Sequence, residues 1–437
     1  MLKQKTAAVI LIFSMLSALS CAAAAPELSV PSAVLTDASS GLVLFDKNKD
    51  ARVYPASTTK IMTAIIAIEH SEGHLSDMFT ASFEAVNSIS FDSSKANLLE
   101  GEQMSYCDLI FALLIASAND AANVLAENIA GSSDEFVKLM NEKAAVLGAS
   151  STHFQNAHGL HHENHYTTAA DMAKIARYAM TLPLFREAVS SREYTIPATN
   201  MQPERKLVST NQLLSRSSKY YYEYAAGVKT GYTTEAGYCL VSAAETSDRQ
   251  LIAAVFGADP KSEEMFSFID SKKLLSYGIN TLKSNVVALK GDILSSVPLR
   301  NSYADDAILE ASETISVVLP EGAEPSDVTK NITLNKNISA PIEAGEVLGN
   351  VEFLYGGTPI ATCNLVAVSQ YKKMPLAFIF RPVYKLVKSV GLYITAAIAV
   401  GFLLLISAER KRKAQIKRRK MRETRRKEDM ERIRRIK

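Results

Sequence analysis

Ser57 stands three residues before Lys60, Ser117 stands two before Asn119, and Lys229-Thr230-Gly231 follows later in the chain. A serine hydroxyl attacks a carbonyl only when a base takes its proton. At a three-residue spacing on a helix, Ser57 and Lys60 project from one face, and Pro55 suits a helix start near Ala56. A lysine acts as that base only when neutral. Burial in an apolar helix and a second cation nearby both lower its pKa, and Lys229 is the candidate for that cation. This pairing points to serine acyl transfer. Alone it carries little weight, because Ser-x-x-Lys recurs at Ser369 and Lys372, which we read as a chance copy.

Ser117 and Asn119 fall in a break between two apolar stretches, where side chains turn toward a cleft. A hydroxyl there relays a proton between lysine and leaving group, and an amide offers donor and acceptor to a substrate amide. Taken by itself, this tripeptide is better read as a helix connector with a capping residue. Lys229 and Thr230 offer a cation and a hydroxyl to a carboxylate, and Gly231 lets a substrate backbone come close. The plain alternative is a polar turn leading into a strand. Acyl transfer also needs donors for the oxyanion; the backbone N–H groups of Ser57 and Tyr232 are the candidates. The order of the three pieces favours catalysis over coincidence.

The elements that must position these residues are legible in outline. Residues 33–35 and 42–45 read as strands about a Ser39-Ser40-Gly41 turn. Residues 61–68 are apolar nearly all round, as in a helix buried on every side. Residues 104–116, 121–130 and 169–178 read as helices, and 237–244 and 251–256 as apolar strands. Strands at both ends with helices between predict an α+β domain over 26–283. Residues 284–372 lose helical periodicity, and Gly356-Gly357 between two β-rich runs signals a hairpin, so a small all-β domain is expected there.

The ends carry separate signals. Lys3 and Lys5, an apolar run and small residues up to Ala25 predict a cleaved signal peptide over 1–25, in preference to an N-terminal anchor. Cys21 raises a lipoprotein alternative, but the residues before it fit a lipidation box poorly. Residues 389–408 are uncharged and long enough to span a bilayer, preceded by a connector, 373–388. The tail, 409–437, holds 16 basic and five acidic residues, a net +11; the other residues hold 32 basic and 41 acidic, a net −9. By the positive-inside rule the tail is cytoplasmic and the body outside. Topogenic charge and anionic lipid explain the tail more simply than nucleic acid, for which no base-reading motif is present. Cys21, Cys107, Cys239 and Cys363 show no metal-ligand or disulfide spacing. His161, His162 and His165 sit in what reads as a polar loop, and we expect no metal there.

These residues resemble the low-molecular-weight D-alanyl-D-alanine carboxypeptidases, a group of penicillin-binding proteins. The stretches that carry the likeness are Pro55-Ala56-Ser57-Thr58-Thr59-Lys60-Ile61-Met62-Thr63, Ile115-Ala116-Ser117-Ala118-Asn119-Asp120-Ala121-Ala122, His158-Gly159-Leu160 and Gly227-Val228-Lys229-Thr230-Gly231-Tyr232-Thr233. The resemblance implies a β-lactamase-like catalytic fold, then a β-rich domain and C-terminal membrane attachment in a bacterial envelope. It implies Ser57, Lys60 and Ser117 as catalytic residues, and Asn119, Lys229, Thr230, Gly231 and Tyr232 as substrate-binding ones. Peptidoglycan stem peptides are the implied substrate, β-lactams the covalent inhibitors, and no cofactor is required. Members often carry an arginine beyond the strand end that Phe256-Gly257-Ala258 matches; here only Lys261 is nearby, which leaves carboxylate recognition to Lys229 and Thr230. A β-lactamase or a cross-link endopeptidase is the runner-up within the enzyme class, and a catalytically silent wall receptor is the reading from another class. Class A β-lactamases add a deacylating glutamate in a Glu-x-x-x-Asn loop; no glutamate between Asn119 and Lys229 has an asparagine four residues on.

Overall fold

The computed structural model describes residues 25–90, 92–374 and 377–434. The expected signal peptide lies outside these residues apart from Ala25. The chain divides into two compact units. The first runs to Lys290 and adds 313–331 and 351–363; the second comprises 291–312, 332–350 and 364–437.

The first unit is organised by an antiparallel five-stranded sheet. Its strands lie in the order Val43–Lys47, Ser32–Asp37, Gln250–Ala258, Gly237–Glu245, Ala225–Thr233. Side chains alternate between faces along a strand. Ile252, Ala254 and Phe256 join the main apolar core. Leu251 turns the other way, toward Gly278, where an added Cβ would lie 2.5 Å from its Cδ1. The central strands are buried on both faces, so they read as unbroken apolar runs rather than alternating ones.

On the core side, Lys60–His70 runs through the middle of the unit, with every residue from Lys60 to Ala67 buried. This matches the all-round apolar pattern of its sequence. Tyr106–Ile115, Asn119–Ala130, Ser133–Val146, Ala169–Ala179 and Pro183–Ser190 pack about it. The helix expected from residue 104 begins at Tyr106 instead, and Met104 belongs to the strand Gln103–Ser105. Ser105 is the reason: its side chain accepts from the Asp108 N–H and caps the helix there.

Lys229-Thr230-Gly231 lies within the edge strand Ala225–Thr233, not in a turn ahead of a strand, and Tyr232 falls near that strand's end. The strand opens Ala-Ala-Gly, without the β-branched residues that mark strands in sequence.

After residue 284 the elements are almost all strands. Ser284–Ala288 pairs with Ile315–Val318. In the second unit Ile293–Pro298 pairs with Asp306–Ala311, which pairs with the end of Thr358–Ala367. The Gly356-Gly357 turn joins Val347–Tyr355 to Thr358–Ala367. This is the expected all-β C-terminal domain. A single helix, Ala377–Arg434, then runs through connector, apolar stretch and basic tail. It is long and apolar enough to cross a membrane, and is a candidate anchor.

Candidate active site

Ala56–Thr59 forms a 3-10 turn that leads directly into the helix starting at Lys60. Side chains three apart eclipse in such a turn, and Lys60 Nζ lies 2.8 Å from Ser57 Oγ. The turn is pinned from several sides. Thr58 Oγ1 donates to the Pro55 carbonyl at 2.7 Å, and Thr59 Oγ1 lies 2.8 Å from His165 Nε2. Lys60 Nζ also donates to the His158 carbonyl at 2.7 Å, so the loop carrying His158-Gly159-Leu160 fixes the amine. That loop tolerates only glycine at 159: its φ is +90°, and a Cβ would sit 1.9 Å from the Ala56 carbonyl oxygen.

Lys60 and Lys229 are both fully buried. Burial first, and the neighbouring charge of Lys229 second, hold Lys60 well below the usual lysine range, with Asp120 acting weakly the other way. Burial lowers Lys229 to about 7. The two lysines thus lie close enough for the charge of Lys229 to act on Lys60.

Ser117 lies between the helices Tyr106–Ile115 and Asn119–Ala130. Its φ of +60° is unusual for a non-glycine residue and marks local strain, as does the +47° of Ala56 beside Ser57. Asn119 is 3% exposed, and its Oδ1 has no hydrogen-bond partner. An orphan acceptor in a cleft is what an amide-bearing ligand would satisfy. Asp120 holds this break in place: its carboxylate accepts from the N–H groups of Ala96 at 2.9 Å and Leu98 at 3.0 Å. The Asn119 N–H donates to the Ser94 carbonyl at 2.9 Å.

The edge strand closes the site. Gly231 presses against the turn that carries Ser57, where a Cβ would meet Ser57 N at 3.0 Å and the Pro55 carbonyl oxygen at 3.1 Å. Any side chain at 231 would push the strand off the turn. Lys229 Nζ donates to the Thr230 carbonyl at 3.1 Å. Tyr232 is exposed and lies against Tyr238, with ring centroids 4.7 Å apart.

Ser57, Ser117, Asn119, Thr230, Gly231 and Tyr232 all line one cleft of about 490 Å³. Lys60 and Lys229 stand behind its wall. The cleft also takes in Ser90, Asp92, Thr210 and Gln212, which sequence reading missed because nothing local marks them. Thr210 Oγ1 lies 2.6 Å from Thr230 Oγ1. Among the described residues no arginine lines this cleft.

The histidines do not share one polar loop environment. His165 is buried and held neutral, its pKa lowered to about 3 chiefly by burial, while His161 packs edge-on against Tyr54. Among the described residues no cluster of histidine, cysteine and carboxylate is arranged to hold a metal. Among the described residues no disulfide joins Cys107, Cys239 and Cys363 to one another.

A serine hydroxyl hydrogen-bonded to a buried lysine is an arrangement suited to serine acyl transfer. The comparisons make the class specific. The family model described as D-alanyl-D-alanine carboxypeptidase, Peptidase S11, matches residues 20–260, and that of the penicillin-binding protein 5 C-terminal domain matches residues 283–373. The D-alanyl-D-alanine carboxypeptidase DacF of Bacillus subtilis is 34% identical over 78% of this chain and 86% of its own length. DacC of Escherichia coli is 33% identical over 80% of this chain and 86% of its own length. The crystal structure of penicillin binding protein 5 from Haemophilus influenzae is 31% identical, covers 80% of this chain and 99% of its own, and superposes with a TM-score of 0.62. The chain belongs to the D-alanyl-D-alanine carboxypeptidase family of penicillin-binding serine peptidases.

Proposed function

We propose that this chain removes the terminal D-Ala from peptidoglycan stem peptides through an acyl-enzyme on Ser57. The observation that carries the reading is the 2.8 Å contact between Ser57 Oγ and the buried Lys60 Nζ. Neutral Lys60 takes the hydroxyl proton as Ser57 attacks the D-Ala–D-Ala carbonyl. The backbone N–H groups of Ser57 and Tyr232 receive the oxyanion. Ser117 and Lys229 assist proton delivery to the departing amine. Asn119 hydrogen-bonds the substrate amide, Lys229 and Thr230 hold the terminal carboxylate, and Gly231 leaves room for the peptide along the edge strand. Water then hydrolyses the ester. No cofactor enters the scheme.

β-Lactams acylate the same serine in this reading. D-Ala diffuses away after acylation and leaves a path for water, whereas the opened β-lactam keeps its bulky ring tethered in the cleft. The sequence lacks the Glu-x-x-x-Asn device that would overcome this obstruction. The purified enzyme is therefore expected to release D-Ala repeatedly from a D-Ala–D-Ala peptide while penicillin stops turnover. Sustained penicillin hydrolysis without D-Ala release would make it a β-lactamase instead.

The acid limb of the rate should report Lys60. Acidification protonates the lysine and removes the base, so kcat/KM falls as pH drops through its lowered pKa and levels off at a pH well below 10.5. Lys229→Gln removes a charge that lowers the Lys60 pKa and should move this limb to higher pH. A limb centred near the ordinary lysine value in the unaltered enzyme would contradict a neutral Lys60.

We assign residues 26–283 to catalysis, 284–372 to the β-rich domain, 373–388 to the connector, 389–408 to a single span and 409–437 to a cytoplasmic tail. The basic residues directly after the apolar stretch support this topology. Protease added to intact spheroplasts is expected to remove the catalytic domain and spare a tag placed after Lys437. Loss of that tag would reverse the orientation.

A further inference from the structure

His165 carries no step of the proposed reaction and does not line the cleft, yet it is only 2% exposed and its ring is bonded on both sides. Residues 153–166 form a loop closed at its base by two backbone bonds. The His153 N–H donates to the Tyr166 carbonyl and the Tyr166 N–H to the His153 carbonyl, both at 2.9 Å. Just inside this base the Gln155 N–H donates to His165 Nδ1 at 3.2 Å. From the opposite edge of the ring, Nε2 reaches Thr59 Oγ1 at 2.8 Å. One imidazole therefore ties the loop that supplies the His158 carbonyl to the turn that supplies Ser57.

The two contacts decide the tautomer. A ring nitrogen that accepts a backbone N–H carries no proton, so Nδ1 is the bare one. In the neutral ring the proton is then on Nε2, and that N–H donates to Thr59 Oγ1. Burial first, and the neighbouring histidines second, lower the pKa of the ring to about 3, so it is neutral at ordinary pH. The direction of the bond to Thr59 is thus fixed from the far side of the ring. We propose that His165 is a positioning residue for acylation: its Nε2–H, held in one tautomer by Gln155, sets Thr59 and through it the reach of Lys60 Nζ to Ser57 Oγ. The inference rests on the acyl-enzyme reading, because it concerns the same serine and the same base.

Lys60 follows Thr59 directly. Its amine bonds Ser57 Oγ in the turn and the His158 carbonyl in the loop. Both bonds are kept only while turn and loop hold one register. Other contacts brace the loop elsewhere. Thr63 Oγ1 donates to the Ala157 carbonyl at 2.6 Å, one helical turn beyond Lys60. Asn156 Oδ1 accepts from the Gly159 N–H at 2.6 Å, within the loop itself. These contacts keep the loop on the helix without His165, so its loss should shift the turn rather than unfold the site. A misplacement of about 1 Å at reacting groups costs roughly a hundredfold in rate. The expected signature is slow chemistry with unchanged ligand affinity.

The test uses the full-length protein in detergent and a fluorescent penicillin, with rapid mixing to separate non-covalent affinity from the acylation rate constant. His165→Leu makes neither bond and should slow acylation about a hundredfold at unchanged affinity. Two amides then separate the two edges of the ring. His165→Gln carries a donor out to the level of Nε2 and should recover most of the rate. His165→Asn reaches only the level of Nδ1, where it can accept from Gln155 but not donate to Thr59, and should stay slow. Thr59→Val removes the same bond from the other side at nearly the same shape. It should slow acylation by a similar factor, and adding His165→Leu to it should cost little more. Recovery by His165→Asn and not by His165→Gln would make the ring a loop closure and overturn the proposal. Near-normal acylation by Thr59→Val would overturn it too, whether or not the histidine variants fold. So would a loss of affinity that accounts for the whole effect. Failure of the unaltered enzyme to react with penicillin would instead overturn the acyl-enzyme reading itself.

Discussion

Ser57→Ala is expected to abolish penicillin acylation and to lower D-Ala release on the order of a millionfold, as loss of other serine nucleophiles does. The fold should survive. The substitution removes one hydroxyl from a half-buried position, and Lys60 Nζ keeps its bond to the His158 carbonyl, so the stability cost is about 1 kcal/mol. Ser369→Ala is the matched control. Ser369 and Lys372 are both exposed, and neither lines the catalytic cleft. Thermal unfolding and penicillin labelling of the two variants separate the readings. Labelling that persists in Ser57→Ala and vanishes in Ser369→Ala would assign the nucleophile to the wrong serine.

Lys60→Arg is expected to be nearly as damaging as Lys60→Ala, with acylation slowed by about 10²–10⁴, the usual worth of a positioned base. Arginine retains the charge but does not lose its proton in proteins. It also has to fit where Lys60 is wholly buried between Ser57 and the His158 carbonyl. A conservative change of charge is thus a complete change of function. Rapid-mixing measurement of acylation reads this directly, and near-normal acylation by the arginine variant would exclude the neutral-base role.

The two expectations draw on different amounts of sequence information. The helix behind Lys60 was legible because burial on every side leaves an apolar run with no polar stripe. The pairing of Ser57 with Lys60 was legible because three-residue spacing has only one geometric outcome at a helix start. The setting of Lys229-Thr230-Gly231 was not. Its strand is recognisable by its partner Gly237–Glu245 and by its contact with the nucleophile turn, both of which are tertiary. The same holds for Thr210 and Gln212, which reach the cleft from a connection between the hairpin strand Arg205–Val208 and the edge strand. His165 looked like part of a polar cluster because its neighbours are polar. Only the fold turns it inward to meet Thr59. Sequence spacing reports what one element can do by itself, whereas a cleft assembled from several elements shows itself only once they are packed.

The central claim is that one serine, activated by Lys60, carries the acyl group. Mass spectrometry of the protein after exposure to penicillin, followed by peptide mapping, tests it most directly. The account predicts one penicilloyl adduct per chain, on the peptide containing Ser57, and none on the peptide containing Ser369. An adduct on any other peptide, or no adduct from protein that still releases D-Ala, would contradict it.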